Sequence, residues 1–228
     1  MSDFASYDYD PEEAFLTDVE ARVIGSLMEK QMTTPDYYPL TANALIAACN
    51  QKSSRDPVMD LTRDEIGHTL QALRGRGLVT ANTLSRADRF EQQLSRKFSL
   101  KTKERAVLCV MLLRGAQTLN EIRTRTERMV NFEDNDAVHE ALQGLIQLEA
   151  PLVMLIAKGP GQREDRYTHL LSGQPDIEMC VARSAGTSTR MDMAERMEQL
   201  EQEVALLREE LQLLWLKTGL NKDAVDED

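Results

Sequence analysis

An internal repeat constrains this chain more than any other feature. Residues 104–114, ERAVLCVMLLR, align with residues 20–30, EARVIGSLMEK, at an offset of 84. Glu20 falls on Glu104, Val23 on Val107, Leu27 on Met111 and Lys30 on Arg114. Thr118, Asn120 and Ile122 then match Thr41, Asn43 and Leu45 at an offset of 77, and Val138, Leu142 and Leu145 match Ile66, Leu70 and Leu73 at 72. Leu152–Val153 follow as Leu78–Val79 do. The shrinking offset places longer loops in the first copy, chiefly at 32–40 and 50–61. A chain that repeats one order of apolar faces builds the same small unit twice.

Each copy reads as three helices and a hairpin. Thr17 with Glu20 is a capping box, in which each side chain satisfies a free backbone N–H at a helix start. Val23, Ile24, Leu27 and Met28 recur at helical spacing behind it. The stretch TTPDYYP at 33–39 breaks that helix with two prolines. Thr41 opens a second helix with Leu45, Ile46 and Cys49 inward, and the polar stretch 50–57 is a loop. Thr62 with Glu65 caps a third helix, with Ile66, Leu70 and Leu73 inward, that ends at Gly75–Gly77. Leu78–Thr83 and Phe90–Phe98 read as strands around the basic tip SRADR, with a helix as the competing reading of the polar segment 84–97. In the second copy Thr118 with Glu121 is again a capping box. Leu152–Ala157 and Asp165–Leu171 read as strands joined by KGPGQ, a turn rich in Gly and Pro. The fold class expected is mostly α with small β-hairpins, as two tandem winged helix-turn-helix domains; an unrelated helical bundle is the alternative.

After a Gly/Ser/Thr/Pro-containing linker, Met193, Met197, Leu200, Val204, Leu207, Leu211 and Leu214 alternate spacings of four and three. This is a coiled-coil seam that would make the chain a homodimer. With Met197 at position a, Arg196 meets Glu201 and Glu203 meets Arg208 across a parallel pair; antiparallel pairing, or one helix folded back on the chain, remains open. The expected organisation is an acidic disordered extension over 1–15, a first winged-helix domain over 16–100, a second over 101–172, a linker over 173–190, a coiled-coil helix over 191–218 and an acidic tail over 219–228.

Charge bears on the partner. The net charge is −11, but the acids are concentrated in the ends. Residues 1–16 carry five acids and no base, and residues 172–228 carry 13 acids against 6 bases, whereas residues 17–101 hold 12 Lys/Arg and 10 Asp/Glu. Cys49, Cys109 and Cys180 are scattered, which argues against a disulfide framework or a zinc finger. No secretory signal opens the chain and no apolar run would span a bilayer, so a cytoplasmic protein without membrane contact is expected.

Five stretches resemble the YceH-like family of uncharacterised bacterial proteins: EKQMTTP at 29–35, YPLT at 38–41, CNQKSSRDPV at 49–58, LLRGAQT at 112–118 and PGQREDRYTHL at 160–170. The resemblance covers about residues 16–172. It implies two tandem winged-helix domains and a short C-terminal coiled coil, and it implies no catalytic residue or ligand.

Three functions are weighed. The first is DNA binding, in the manner of a transcription regulator, through the first domain. A winged helix lays its third helix in the major groove and sets basic groups of its wing on phosphate. The candidate nucleic-acid contacts are Lys52, Arg55, Arg63, Gln71, Arg74, Arg76, Arg86, Arg89, Arg96 and Lys97. Gln71 or Arg74 is the candidate base reader, because each can pair with a base edge. The third helix of the second copy, 135–149, has no Lys or Arg and offers Asp136, Glu140 and Glu149. The second function is therefore an acidic winged-helix adaptor that binds protein partners. The third, an enzyme, is not expected: there is no catalytic triad order, no metal-ligand cluster and no phosphate loop, since GPG at 159–161 lacks a following Lys-Ser/Thr. No cofactor is expected. Arg163, Asp165, Tyr167 and His169 would share one face of a strand, either as cross-strand ion pairs or as a small polar site. The loop CNQKSSRDPV is too long for a simple connection; it either folds under its domain or meets a ligand.

Overall fold

The computed structural model describes residues 9–11, 13–82, 88–159 and 162–177. These all lie in the first of two units into which the chain divides, residues 1–183 and 184–228. The expected coiled coil and tail, the expected linker beyond residue 177, Cys180 and Arg86 lie outside the described residues. The fold is mixed, with helices and small antiparallel sheets.

The three helices of the first copy are α1 (Asp18–Thr33), α2 (Ala42–Cys49) and α3 (Arg63–Gly75). Thr17 and Thr62 close complete capping boxes with Glu20 and Glu65, and Thr41 caps α2 through the Ala44 N–H. A 3-10 turn at Pro35–Tyr37 and a cis Tyr38–Pro39 bond separate α1 from α2. Strands β1 (Leu40–Thr41), β2 (Val79–Asn82) and β3 (Arg89–Gln92) form a sheet in the order β1-β3-β2. Phe90 stands opposite Ala81 on one side and Leu40 on the other.

The strand expected over Phe90–Phe98 stops at Gln92. A short helix, α4 (Leu94–Lys97), follows. Gln92 accounts for the change, because its Oε1 accepts from the Ser95 N–H and its Nε2 donates to Ser95 Oγ and to Gln31 Oε1. The bent chain buries Leu94. The two readings of 84–97 thus each describe part of it.

In the second copy α5 (Thr102–Arg114), α6 (Leu119–Thr126) and α7 (Asn135–Ile146) precede a hairpin of β4 (Val153–Ile156) and β5 (Arg166–His169). Thr118 and Glu121 form the expected capping box. The repeat also extends to a feature no periodicity revealed. Gln117 exchanges both backbone hydrogen bonds with Tyr167, at 2.9 and 2.7 Å, as Leu40 pairs with Phe90 in the first copy. Both pairs are related by the same offset of 77 residues.

The two copies share one hydrophobic core. α1 is buried from Glu20 to Met28 and α5 from Ala106 to Leu113, because the two helices pack on each other as well as on their own partners. A helix that is apolar all round belongs inside, and the unbroken run AVLCVMLL is that signature. Gly25 permits the close approach: a Cβ there would lie 2.9–3.1 Å from the Leu112 and Leu113 side chains.

Residues 9–11 and 13–15, expected within a disordered extension, instead form a strap with Leu16. Tyr9 is buried and its hydroxyl donates to the Pro151 carbonyl at 3.0 Å. Ala14 bridges Ser172, and Leu16 N–H donates to Leu171 O. Tyr9, Phe15 and Phe98 meet edge to face at centroid distances of 5.5–5.9 Å.

Candidate nucleic-acid interface and the buried arginine loop

The loop after α2 folds under the first helix set. Arg55 is only 1% exposed. Its guanidinium donates to Ala48 O, Ser54 O and Gln51 Oε1, and to both Glu29 carboxylate oxygens at 3.1 and 2.6 Å. Arg22, equally buried, donates to Cys49 O at 3.1 Å and Pro57 O at 2.6 Å. Asn50 closes the far side by exchanging two 2.8 Å hydrogen bonds with the backbone of Leu61. Asp56 N–H reaches Leu113 O, which joins the loop to α5. Two arginines thus satisfy the carbonyls that a buried loop would otherwise leave bare. Arg55 therefore faces the interior and is closed to phosphate, while Lys52 in the same loop is exposed. Neither Arg22 nor Glu29 was singled out from the sequence. The only signal was their spacing of seven residues, which puts both on one side of a helix that also carries Asp18, Glu20 and Lys30.

Of the other sequence candidates, Arg63, Gln71 and Arg74 come together. They are exposed on one side of α3, while Ile66, Leu70 and Leu73 face the core. Arg63 donates to Asn43 Oδ1 of α2, so its head is held near the helix pair. Arg89 donates to Pro39 O at 2.9 Å at the β1–β3 edge, and Arg96 is exposed on α4.

Arg76 and Lys97 form a separate group around the strap. Arg76 pairs with Glu20 at 3.2 Å, donates to Phe15 O and lies 4.7 Å from the centre of the Phe15 ring. Lys97 lies 5.6 Å from that ring and donates to Arg76 O. Partial burial, and then the Arg76 charge, bring its ammonium down to about 8. These two cations are already engaged by the chain itself.

The polar face expected on the last strand is divided. Arg163 and Asp165 lie in the turn, where Asp165 accepts from the Lys158 N–H. Tyr167 and His169 lie on β5. The ion pair in this region comes from Arg166, which reaches Glu121 of α6 at 2.7 Å rather than the opposite strand. Along the outer side of α7, Asp136, His139 and Glu140 are exposed. Among the described residues no group of three His, Cys, Asp or Glu could hold a metal ion, and no helix is long and apolar enough to cross a membrane.

Comparison with known proteins gives the lineage. The family model described as "Protein of unknown function, DUF480" matches residues 16–162. A UPF0502 protein of Cellvibrio japonicus (strain Ueda107) is 48% identical over 201 residues, covering 88% of this chain and 91% of its own. A UPF0502 protein of Mesorhizobium japonicum is 48% identical over 200 residues, covering 87% of this chain and 96% of its own. One from Vibrio atlanticus is 43% identical over 203 residues, covering 86% of this chain and 93% of its own. The resemblance carried by CNQKSSRDPV and its companion stretches thus extends across most of the molecule, and the chain belongs to the DUF480 family of bacterial proteins.

Proposed function

We propose that this protein acts by binding, not by catalysis, as a dimeric transcription-regulator-like protein whose first helix set contacts duplex DNA. The observation that carries the reading is the exposed side of α3 with Arg63, Gln71 and Arg74. Two occurrences of the helix–helix–helix–hairpin order are compatible with tandem winged helices, in which the third helix is the reader. Lys52, Arg89 and Arg96 supply further exposed cations on the same set. The seam from Met193 to Leu214 would pair two first sets, one on each half-site.

Fluorescence anisotropy of a labelled random duplex, titrated with the full chain at low and moderate salt, tests this. Dissociation constants on the order of 1–100 μM that weaken steeply with salt are expected for the non-specific mode. Absence of binding at low salt would remove the reading.

A protein-binding adaptor is the second reading, and it draws on α7. The exposed Asp136 and Glu140 and the lack of any Lys or Arg on that helix would repel phosphate. Leu155 on β4 is also 46% exposed. A pull-down with full-length protein that recovers one partner, lost on Asp136→Lys with Glu140→Lys, would favour the adaptor.

A further inference from the structure

Gly67 has no internal explanation. It stands in the middle of α3, where only proline is less favourable to a helix than glycine. A Cβ built on it meets nothing within 4 Å, and its φ is an ordinary helical one. Neither packing nor backbone conformation within the chain asks for glycine here, unlike Gly25 at the α1–α5 crossing.

Its neighbours give the missing reason. Residues 63, 67, 71 and 74 follow one another at helical spacings of four, four and three, so they line one side of α3. All four are exposed. At a rise of about 1.5 Å per residue, Gly67 and Gln71 occupy the middle of this row, and Arg63 and Arg74 lie about 16 Å apart along the axis. The major groove of B-form DNA is about 12 Å wide between its phosphate walls. Two cations at that spacing can each meet one wall, with the centre of the row over the floor. Asn43 already holds Arg63 at one end. Asp64 stands on the same side, three residues before Gly67 and seven before Gln71, at the Arg63 end of the row, so Arg63 also offsets its charge there, and Glu65 is occupied by its cap with Thr62.

We infer that the Arg63–Gly67–Gln71–Arg74 side of α3 is a seat for the major groove of duplex DNA, in which the bare backbone at Gly67 lets the helix approach the base edges. In this arrangement Gln71 pairs with a base, and Arg63 and Arg74 bind phosphate. The inference rests on the DNA-binding reading above and adds to it the groove, the depth of approach and a division of roles.

The test uses the full chain and labelled duplex. Gly67→Leu enters open space and improves helix propensity, so its melting temperature should be no lower than that of the parent protein. Its affinity should fall at least tenfold, with Gly67→Ala between the two. Arg63→Ala and Arg74→Ala should each lower the slope of log K against log salt by about 0.9, the value for one phosphate contact. Gln71→Ala should keep the slope and flatten any preference among sequences. If the parent protein binds duplex and folded Gly67→Leu binds within twofold of it, the seat is wrong while DNA binding stands through other residues. If the parent protein does not bind duplex at low salt, both fall.

Discussion

Arg55 shows how far one residue's role can depart from its charge. In sequence it is a basic loop residue beside Lys52, and both suit a phosphate. In the fold it is the centre of a buried network with a carboxylate partner at 2.6 Å. Removing one member of such a pair leaves an uncompensated charge and bare carbonyls. Arg55→Ala should therefore cost about 3–5 kcal/mol in urea unfolding, whereas Lys52→Ala should stay within about 0.5 kcal/mol, as surface changes do. Acid should act on this network and on His169, and His169 should respond at the higher pH. Burial alone would raise the Glu29 carboxyl, but the Arg55 hydrogen bond and charge hold it below its ordinary value of 4.5. Its contribution is present above that value and fades as pH falls through the lower folded one. His169 titrates earlier. Its Nδ1 is sealed from solvent without a hydrogen-bond partner. Desolvation brings the ring down from 6.5 to about 4, against a weaker pull upward from Asp18. Between those values the unfolded chain binds the proton and the folded one does not, so stability falls as pH drops through that window. The loss is at most about 3 kcal/mol, since each unit is worth about 1.4. Urea midpoints for His169→Gln should be flat from pH 6.5 toward 4 where the parent protein declines, and Glu29→Gln should remove only the part below about 4.5.

The elements differ in how plainly the sequence announced them. Helix starts were legible because Thr17, Thr62 and Thr118 each carry a glutamate three residues on. Such a cap is local chemistry that needs no distant partner. The elements that were missed are those that need one. β1 has two residues and exists because β3 lies beside it; Gln117 has the same relation to β5. α4 is one turn, too short for a period, and is set by the Gln92 side chain. The buried arginine loop depends on Glu29, 26 residues away from Arg55. For the candidate site, the cations of α3 could be read from charge and spacing, but that Arg76 and Lys97 were engaged could not, because Phe15 reaches them from outside the repeat. The strap is the largest such case. It belongs to a stretch, residues 1–16, whose five acids with no base read as disorder, yet three aromatic rings converge where Tyr9 and Phe15 meet the end of α4. Phe15→Ala removes the ring that Tyr9, Phe98, Arg76 and Lys97 share. It should cost about 2–3 kcal/mol in urea, somewhat less than a fully buried phenylalanine. Tyr9→Phe, which loses only the hydrogen bond to Pro151, should cost about 1 kcal/mol.

At the scale of the whole molecule, the proposed DNA binding and the proposed dimer would set charge against avidity, and their balance can be measured. Residues 191–228 hold 11 Asp/Glu and 4 Lys/Arg, so deleting them changes the net charge from −11 to −4. If this segment acted on DNA only through its field, deletion would tighten binding, because a strongly acidic protein repels phosphate. If its heptads join two chains, deletion would weaken binding, because two linked reading heads hold a duplex more tightly than one. Magnitudes separate the effects. At physiological ionic strength the Debye length is about 8 Å, so exposed charges farther than that from the duplex contribute little. Linking two sites raises overall affinity by roughly 10²–10⁴-fold when both can engage. Avidity should therefore dominate at about 0.15 M salt. Light scattering should show the full chain at twice its monomer mass and the deleted chain at one. Affinity for a duplex long enough to carry two half-sites should fall by about 100-fold on deletion, while affinity for a single half-site should change little. A deletion that leaves the mass per particle at one chain in both proteins, or that tightens binding to the longer duplex, would assign the acidic segment to repulsion and leave each first helix set to bind alone.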